Sequence, residues 1–165
     1  MKTLLCIATA ALGLAIAFAD ETKTSTSVVE KRHAVATSVY DGDSVTLRFE
    51  GEDAKIKTRL YGIDAPEQQQ DYGKTASARL RELINQKPLE VVVKGLDNKK
   101  RPLVVIYCNG KDINLEMIRE GMAWHYDRYD NTPEYEATHK EAKEHKRGLW
   151  INDDAIHPET FRHPK

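Results

Sequence analysis

Apolar and polar residues alternate in several short stretches of the chain, and this period of two predicts β-strands. The alternation is clearest between Ser44 and Phe49, where Val45, Leu47 and Phe49 share one face. Further strands are predicted over Val35–Tyr40, Lys55–Ile63, Leu89–Lys94 and Leu103–Cys108. Arg59 falls on the polar face of its strand and is therefore expected to point away from the core.

A helical period appears in three other stretches. Between Lys74 and Asn85 the apolar residues fall on one stripe, which predicts an amphipathic helix. Asp112 is a favourable cap for a second helix, which breaks near Gly121. Pro133 opens a third helix, and Gly148 ends it.

The order of these elements predicts the fold class. Five short strands are interrupted by one helix and followed by two more, and the chain has no internal repeat. This order is typical of an α+β protein with a small barrel. We therefore expect a five-stranded antiparallel OB-fold β-barrel with three helices.

The N-terminus has the pattern of a secretory signal peptide. Lys2 precedes an apolar run that is too short to span a membrane, and Ala17-Phe18-Ala19 is a small-residue cleavage pattern. We expect a signal peptide over residues 1–19, a flexible leader over 20–33, the folded domain over 34–150 and a C-terminal tail over 151–165. The mature chain is then secreted or periplasmic, without a membrane segment.

Charge, cysteine and histidine content narrow the class of protein. The formal net charge is −1, whereas a protein that binds nucleic acid through bulk charge is clearly basic. Any nucleic-acid binding must therefore use a local patch. Cys108 is the only cysteine of the expected mature chain and is predicted to lie in the core. The spacing of His139 and His145 does not suit one helical face, so zinc is not expected.

The candidate chemistry lies at the two ends of a predicted hairpin. Residues 41–44 read Asp-Gly-Asp-Ser, Arg59 closes the second strand, and residues 64–67 read Asp-Ala-Pro-Glu. Each segment alone has an ordinary explanation: a hairpin turn, an exposed strand charge and a strand ended by proline. Carboxylates brought together repel each other, however, and a hard cation with oxygen ligands would relieve the repulsion.

These motifs resemble those of the staphylococcal-type thermonuclease (SNase-like nuclease) family. The family pattern is Asp-Gly-Asp-Thr, then Arg, then Asp-x-Pro-Glu, and residues 41–44, Arg59 and residues 64–67 match it with Ser44 in place of Thr. A second pattern around an Asp-Lys-Tyr-Gly-Arg loop is met in part. The residues that fit it are Asp97, Arg101, Leu103, Ile106 and Tyr107. The resemblance extends over roughly residues 35–150.

The resemblance implies a Ca²⁺-dependent phosphodiesterase on an OB-fold barrel. Asp43 and Asp64 would be carboxylate ligands of Ca²⁺, and the carbonyl of Ala65 would be a third ligand. Asp41 would orient a bound water from behind these ligands. The expected activity is that of an endonuclease hydrolysing DNA and RNA with little sequence preference and leaving 3′-phosphate ends. A monomer is expected.

The same resemblance assigns the reacting groups. Glu67 would be the general base, and Arg59 and Arg101 would bind the phosphate and stabilise its growing charge. Lys99 and Lys100 would add attraction for phosphates. Tyr126 and Tyr129 either pack against the domain or stack on a base, whereas core packing is expected for Trp124.

One departure from the family pattern weakens the assignment of Arg101. Residues 99–102 read Lys-Lys-Arg-Pro where the family has Tyr-Gly-Arg and no proline. The lost glycine changes the turn that aims Arg101, and the lost tyrosine removes a stacking platform. The alternative function is a non-catalytic OB-fold nucleic-acid-binding module, but such a module need not keep Asp43, Arg59, Asp64 and Glu67 together.

Overall fold

A small closed barrel forms the body of the computed structural model, which describes residues 30–164. The expected signal peptide and most of the expected leader lie outside the described residues. The strands within the described range are β1 (Arg32–Val39), β2 (Ser44–Phe49), β3 (Lys55–Leu60), β4 (Ile63–Asp64), β5 (Leu89–Leu96), β6 (Pro102–Cys108), β7 (Lys111–Asp112) and β8 (Trp124–His125). The helices are α1 (Gly73–Ile84), α2 (Ile113–Arg119), α3 (Pro133–Glu144), a 3-10 helix (Gly148–Ile151) and α4 (Pro158–Arg162).

The barrel closes through a parallel pair of strands. The sheet order is β3-β2-β1-β5-β6-β7, and β3 also pairs with β6. The α+β OB-like barrel is confirmed, but it is mixed and not wholly antiparallel because Arg59 and Leu60 of β3 run parallel to Leu103 and Val104 of β6. The buried amide of Asn114 in α2 supports the closure. Its Nδ2 donates to the carbonyl of Tyr61 at 2.9 Å and to that of Val104 at 3.0 Å.

The third strand is shorter than the sequence predicts. It ends at Leu60, and the chain turns at Gly62 with φ +74° before β4 pairs with β8. A Cβ at Gly62 would lie 3.1 Å from Cγ of Asp130 and 3.1 Å from Cε2 of Tyr135. The strand pattern over residues 55–63 thus conceals a tight turn that only glycine accommodates easily. This turn redirects the chain so that Asp64 faces the barrel end.

The hydrophobic core fills the barrel and the space beneath α1 and α2. Val45, Leu47 and Phe49 are all buried, as their alternation predicts. Each fully buried aliphatic or aromatic side chain stabilises the fold by about 1.5–3 kcal/mol relative to exposure. Cys108 also lies in this core, as expected. Within residues 30–164, none of the helices combines the length and apolar character that crossing a bilayer requires.

A second, smaller hydrophobic cluster holds the C-terminal part of the domain. It contains Trp124, Ala142, Leu149 and Trp150, and the two indole centroids lie 4.9 Å apart in an edge-to-face arrangement. The third helix ends at Glu144, before the predicted end. Gly148 follows with φ +54°, where a Cβ would lie 2.4 Å from the carbonyl oxygen of Gly121.

The C-terminal segment contains a helix that the sequence pattern does not reveal. Pro158 opens α4, and the ring Nδ1 of His157 accepts a hydrogen bond from the backbone N–H of Glu159 at 3.2 Å. The helix has five residues, too few for an amphipathic period to show. It brings Arg162 to the end of the barrel where β2, β3 and β4 meet.

Candidate active site at the end of the barrel

The β2–β3 hairpin brings the first acidic motif beside Arg59. Ser44 and Arg59 are directly paired across the two strands, and the backbone N–H of Leu60 donates to the carbonyl of Asp43 at 2.8 Å. The carboxylate of Asp41 accepts a hydrogen bond from the backbone N–H of Asp43 at 3.0 Å, an ordinary arrangement in aspartate turns. The turn therefore fixes the backbone from which Asp43 projects.

Gly42 lets this turn lie flat against the neighbouring elements. A Cβ at this position would lie 2.6 Å from Cβ of Ala65 and 2.8 Å from Cβ of Ala76 in α1. Because real Cβ atoms do not approach so closely, the Asp-Gly-Asp motif needs its glycine for packing. The same close approach allows the N–H of Ala65 to donate to Oδ2 of Asp43 at 3.2 Å.

Arg59 joins the two acidic motifs. One of its terminal nitrogens, Nη2, lies 2.8 Å from Oδ2 of Asp43 and 2.6 Å from Oδ1 of Asp64. Only 5% of the Asp43 side chain and none of the Asp64 side chain is exposed. Two buried carboxylates thus share one guanidinium, and such hydrogen bonds between charged groups are the strong ones.

Burial dominates the electrostatics of this cluster. It raises the pKa of Asp43 to about 7, with the negative charges of Asp41 and Asp64 adding to the shift and Arg59 opposing it. For Arg59, burial disfavours the charged form, but Asp43 and Asp64 outweigh this effect and raise the pKa. The site therefore favours an additional positive charge near Asp43.

A second guanidinium reaches the site from α4. Nη2 of Arg162 lies 2.9 Å from Oδ2 of Asp64, and Nη1 lies 3.1 Å from Oδ1 of Asp64 and 2.7 Å from Oε1 of Glu67. Sequence analysis missed Arg162, which is 98 residues from Asp64 and belongs to no motif. The half-buried carboxylate of Glu67 bonds the same guanidinium as Asp64. The structure therefore brings Glu67 together with Asp43, Arg59 and Asp64.

Arg101 lies in the loop between β5 and β6 and lines a cavity next to the carboxylate cluster. The cavity has a volume of about 630 Å³, and Arg59, Arg101 and Arg162 all line it. The Nε of Arg101 donates to Oδ2 of Asp97 at 2.7 Å, while Oδ1 of Asp97 accepts from the backbone N–H groups of Lys99 and Arg101 at 2.9 and 2.8 Å. Arg101 is therefore held by its own loop and not by the carboxylate cluster.

The lysines beside Arg101 take different positions. Lys99 lines the cavity, whereas Lys100 is exposed and does not line it. Lys100 has φ +60°, a conformation that costs an L-residue about 1–2 kcal/mol relative to the right-handed region. It stands where the family pattern has glycine, a residue that adopts this conformation without that cost.

Two tyrosines form an aromatic wall of the cavity. Tyr126 and Tyr129 both line it, with ring centroids 4.8 Å apart in an edge-to-face arrangement. The hydroxyl of Tyr61 donates to the carbonyl of Tyr129 at 3.0 Å. Tyr129 as a whole residue is 63% exposed, so a planar ligand could approach it from solvent. Trp124, by contrast, is buried in the smaller cluster.

The residues present suit a hard divalent cation. Among residues 30–164, no three acidic, histidine or cysteine side chains converge as a ready metal cluster. A cation would be held by Asp43, Asp64 and the carbonyl of Ala65, an all-oxygen set of the kind that Ca²⁺ prefers. The raised pKa of Asp43 and the two guanidiniums on Asp64 both indicate a position that favours positive charge.

The barrel and this site together define a nuclease of the staphylococcal type, and comparison with known proteins agrees. The family model described as staphylococcal nuclease homologue matches residues 57–152. A Haemophilus influenzae protein named "Uncharacterized endonuclease" is 37% identical over 133 residues, which cover 81% of this chain and 74% of that protein. A protein of the same name from Escherichia coli O157:H7 is 34% identical over 134 residues, covering 81% and 86%.

A plant relative matches over a smaller share of its own length. The "Staphylococcal-like nuclease CAN1" of Arabidopsis thaliana is 36% identical over 122 residues, which are 72% of this chain and 38% of that protein. The chain belongs to the family of staphylococcal nuclease homologues. Arg162 lies beyond the part of the chain that the family model matches.

Proposed function

We propose that the protein is a Ca²⁺-dependent endonuclease that hydrolyses phosphodiester bonds of DNA and RNA with little sequence specificity and leaves 3′-phosphate ends. The observation that carries the proposal is the link between Asp43, Arg59 and Asp64. With Glu67 in the same cluster, the site combines a cation-binding position, a phosphate-binding guanidinium and a carboxylate base, and Arg59 of this cluster lines the open cavity beside it.

Arginine suits the substrate of this reaction. A phosphodiester already carries negative charge, so an attacking oxygen nucleophile is repelled unless nearby positive groups offset that charge. Arg59 can place a planar fork of N–H donors on two phosphate oxygens, and its raised pKa keeps it charged. It therefore stabilises the charge that grows during attack but cannot act as the general acid.

Glu67 supplies the base. Its carboxylate is half-buried beside Asp64 and can take a proton from an attacking water, a role worth about 10²–10⁴ in rate. A bound Ca²⁺ would act as a Lewis acid that offsets phosphate charge and orients the substrate. Arg101 and Lys99 line the same cavity as Arg59, where they would hold a neighbouring phosphate.

Bases would contact the aromatic wall. Stacking on a tyrosine is tolerant of base identity because every base has a π-face, and it is worth about 1–3 kcal/mol per base. Tyr126 and Tyr129 line the cavity next to the arginines, which agrees with low sequence specificity. The overall charge of the chain is close to neutral, so binding would depend on this local patch.

We propose export of the protein on the basis of its N-terminal sequence pattern. An apolar run and a small-residue cleavage pattern ending at Ala19 support export to the periplasm or the medium. Expression of the full chain in a secreting host, followed by N-terminal sequencing of the exported product, would test this. A product that starts at Asp20 supports the proposal, and an unprocessed chain retained in the cell contradicts it.

The activity is tested by incubating the exported chain with single-stranded DNA and with RNA, in Ca²⁺ and in chelator. We expect both substrates to be cleaved in Ca²⁺ and neither to be cleaved in chelator. Mass spectrometry of the products should find 3′-phosphates. The Glu67→Gln variant serves as the control for a contaminating nuclease. Binding of oligonucleotide without cleavage would contradict the proposal and support the non-catalytic binding module.

A further inference from the structure

Arg162 contacts two of the proposed functional carboxylates, those of Asp64 and Glu67, although it belongs to no motif of the domain. Its two terminal nitrogens bond both oxygens of Asp64, and one of them also bonds Glu67. Hydrogen bonds to both carboxylates raise its pKa even though burial opposes the charge. Arg162 therefore holds the proposed metal ligand and the proposed base together.

Apart from Arg162 and the buried Pro158, few polar contacts attach α4 and the residues before it to the rest of the described chain. Arg128 pairs with Glu159 at 2.7 Å, and the ring of His157 lies 5.5 Å from that of Trp124, centroid to centroid. The side-chain amide of Gln70 donates to the carbonyl of Ile156. A helix of five residues is not stable on its own, and an exposed ion pair such as Arg128–Glu159 contributes about 0–1 kcal/mol. The hydrogen bonds of Arg162 to Asp64 are therefore a main attachment of α4.

A cation and Arg162 need the same oxygens. Asp64 is fully buried, and both of its oxygens already accept hydrogen bonds from Arg162. A divalent ion on Asp64 would face the positive guanidinium at close range, where like charges repel strongly in a partly buried site. Arg59 also lies on Asp64, but β3 is paired on both sides, so Arg59 stays next to the site whichever partner it takes.

We propose that Arg162 is an internal competitor of the divalent cation: α4 closes over the metal-free site through Asp64 and Glu67, and cation binding displaces it. This inference rests on the proposed function, since it needs a cation at Asp43 and Asp64. The coupling works in both directions. Removing the guanidinium tightens cation binding, and cation binding loosens α4. Access to Glu67 is then controlled by the cation itself.

The first test measures Ca²⁺ affinity by isothermal titration calorimetry on the full chain without substrate. We expect Arg162→Gln to bind Ca²⁺ at least about fivefold more tightly than the wild type, the lower end of ordinary coupling between two binding events. Arg48→Gln is the matched control. It removes the same charge from an exposed position on β2, so it reports the general effect of net charge alone.

The second test measures hydrogen exchange in peptides that cover residues 156–164, with and without Ca²⁺. We expect faster exchange when Ca²⁺ is bound, because α4 loses its attachment to Asp64. Simple repulsion between Arg162 and the ion would also weaken binding, but only displacement opens the helix. Slower exchange with Ca²⁺ would overturn the proposal, since α4 would then be stabilised by the ion.

The outcomes separate this inference from the proposed function. If neither the wild type nor Arg162→Gln binds Ca²⁺, the proposed cation site is contradicted, and so is the competition that depends on it. If the wild type binds Ca²⁺ and Arg162→Gln binds it no more tightly than Arg48→Gln does, only the competition is wrong. Tighter binding by Arg162→Gln together with Ca²⁺-accelerated exchange in α4 supports both.

Discussion

Two groups of residues at this end of the barrel, the carboxylate side and the loop side, hold their arginines in different ways. At the carboxylate side, formed by Asp43, Arg59, Asp64 and Glu67, Arg59 bridges two motifs that the fold brings together. At the loop side, formed by residues 97–101, Arg101 bonds an aspartate of its own loop. A cation bound by the carboxylates would release Arg59 toward a phosphate, whereas a phosphate must compete with Asp97 for Arg101. We therefore expect cation binding and substrate binding to be coupled on the carboxylate side and independent on the loop side.

The largest effect is expected from the base on the carboxylate side. Glu67→Gln keeps the shape of the side chain but removes its capacity to accept a proton, so kcat should fall by at least about 10²-fold. The measurement is the rate of single-stranded DNA cleavage at saturating Ca²⁺. Glu50→Gln, at an exposed position, controls for the loss of charge. If Glu67→Gln keeps its fold and turns over at nearly the wild-type rate, Glu67 is not the general base.

Substitution of Arg59 and of Arg101 tests whether the carboxylate side contributes more to catalysis than the loop side. Arg59→Ala should lower kcat by about 10²-fold or more, as for the loss of a charge-stabilising donor. Arg101→Ala should cost less, about tenfold, because Asp97 competes for its guanidinium. Steady-state kinetics of both variants at several Ca²⁺ concentrations would measure the difference. A larger loss for Arg101→Ala would reverse the ranking of the two sides.

The pH dependence of cation binding tests the burial of Asp43. Burial raises the pKa of this carboxyl to about 7, and a cation binds the ionised form. Below pH 7 the ion must therefore displace a proton, and the Ca²⁺ dissociation constant should rise by about tenfold for each unit of falling pH. Above pH 7 it should level off. Titration calorimetry at four pH values would show this, and a constant affinity between pH 5 and pH 7 would contradict it.

The smallest effect concerns the strained loop. Lys100→Gly should raise the free energy of unfolding by about 0.5–1 kcal/mol, because relief of the positive φ exceeds the added entropy of glycine in the unfolded chain. Urea unfolding should show a higher midpoint at an unchanged slope. Lys99→Gly is the neighbouring control, since Lys99 is outside the set of positive-φ residues, and it should be destabilised. A lower midpoint for Lys100→Gly would show that Lys100 is not strained.

Much of the fold is encoded in short-range patterns. The alternation in β2 predicts its buried face because every second side chain of a strand points the same way. The buried and less buried positions of β2 alternate as this pattern predicts. The end of β3 could not be predicted in the same way. Its pattern continues through Gly62, where φ is +74° and a Cβ would meet the side chains of Asp130 and Tyr135.

The candidate site likewise contains residues that local patterns predict and one residue that they do not. Asp43, Arg59 and Asp64 belong to motifs joined by one hairpin and one turn, so local pairing suffices to predict that they meet. Arg162 comes from a five-residue helix far along the chain, where no period exists and no charge pattern indicates Asp64. Long-range contacts of this kind depend on tertiary packing, and sequence analysis of a single chain has no physical basis for predicting them.

We propose that Asp43 and Asp64 bind a cation in exchange for the guanidiniums that they hold without one. A crystal structure of the Glu67→Gln variant with Ca²⁺ and a short single-stranded oligonucleotide would test this exchange. We predict an ion bound by Asp43 and Asp64, with Arg59 turned from these carboxylates to a phosphate. An ion bound elsewhere, or Arg59 still bonded to both carboxylates beside the bound substrate, would contradict the account.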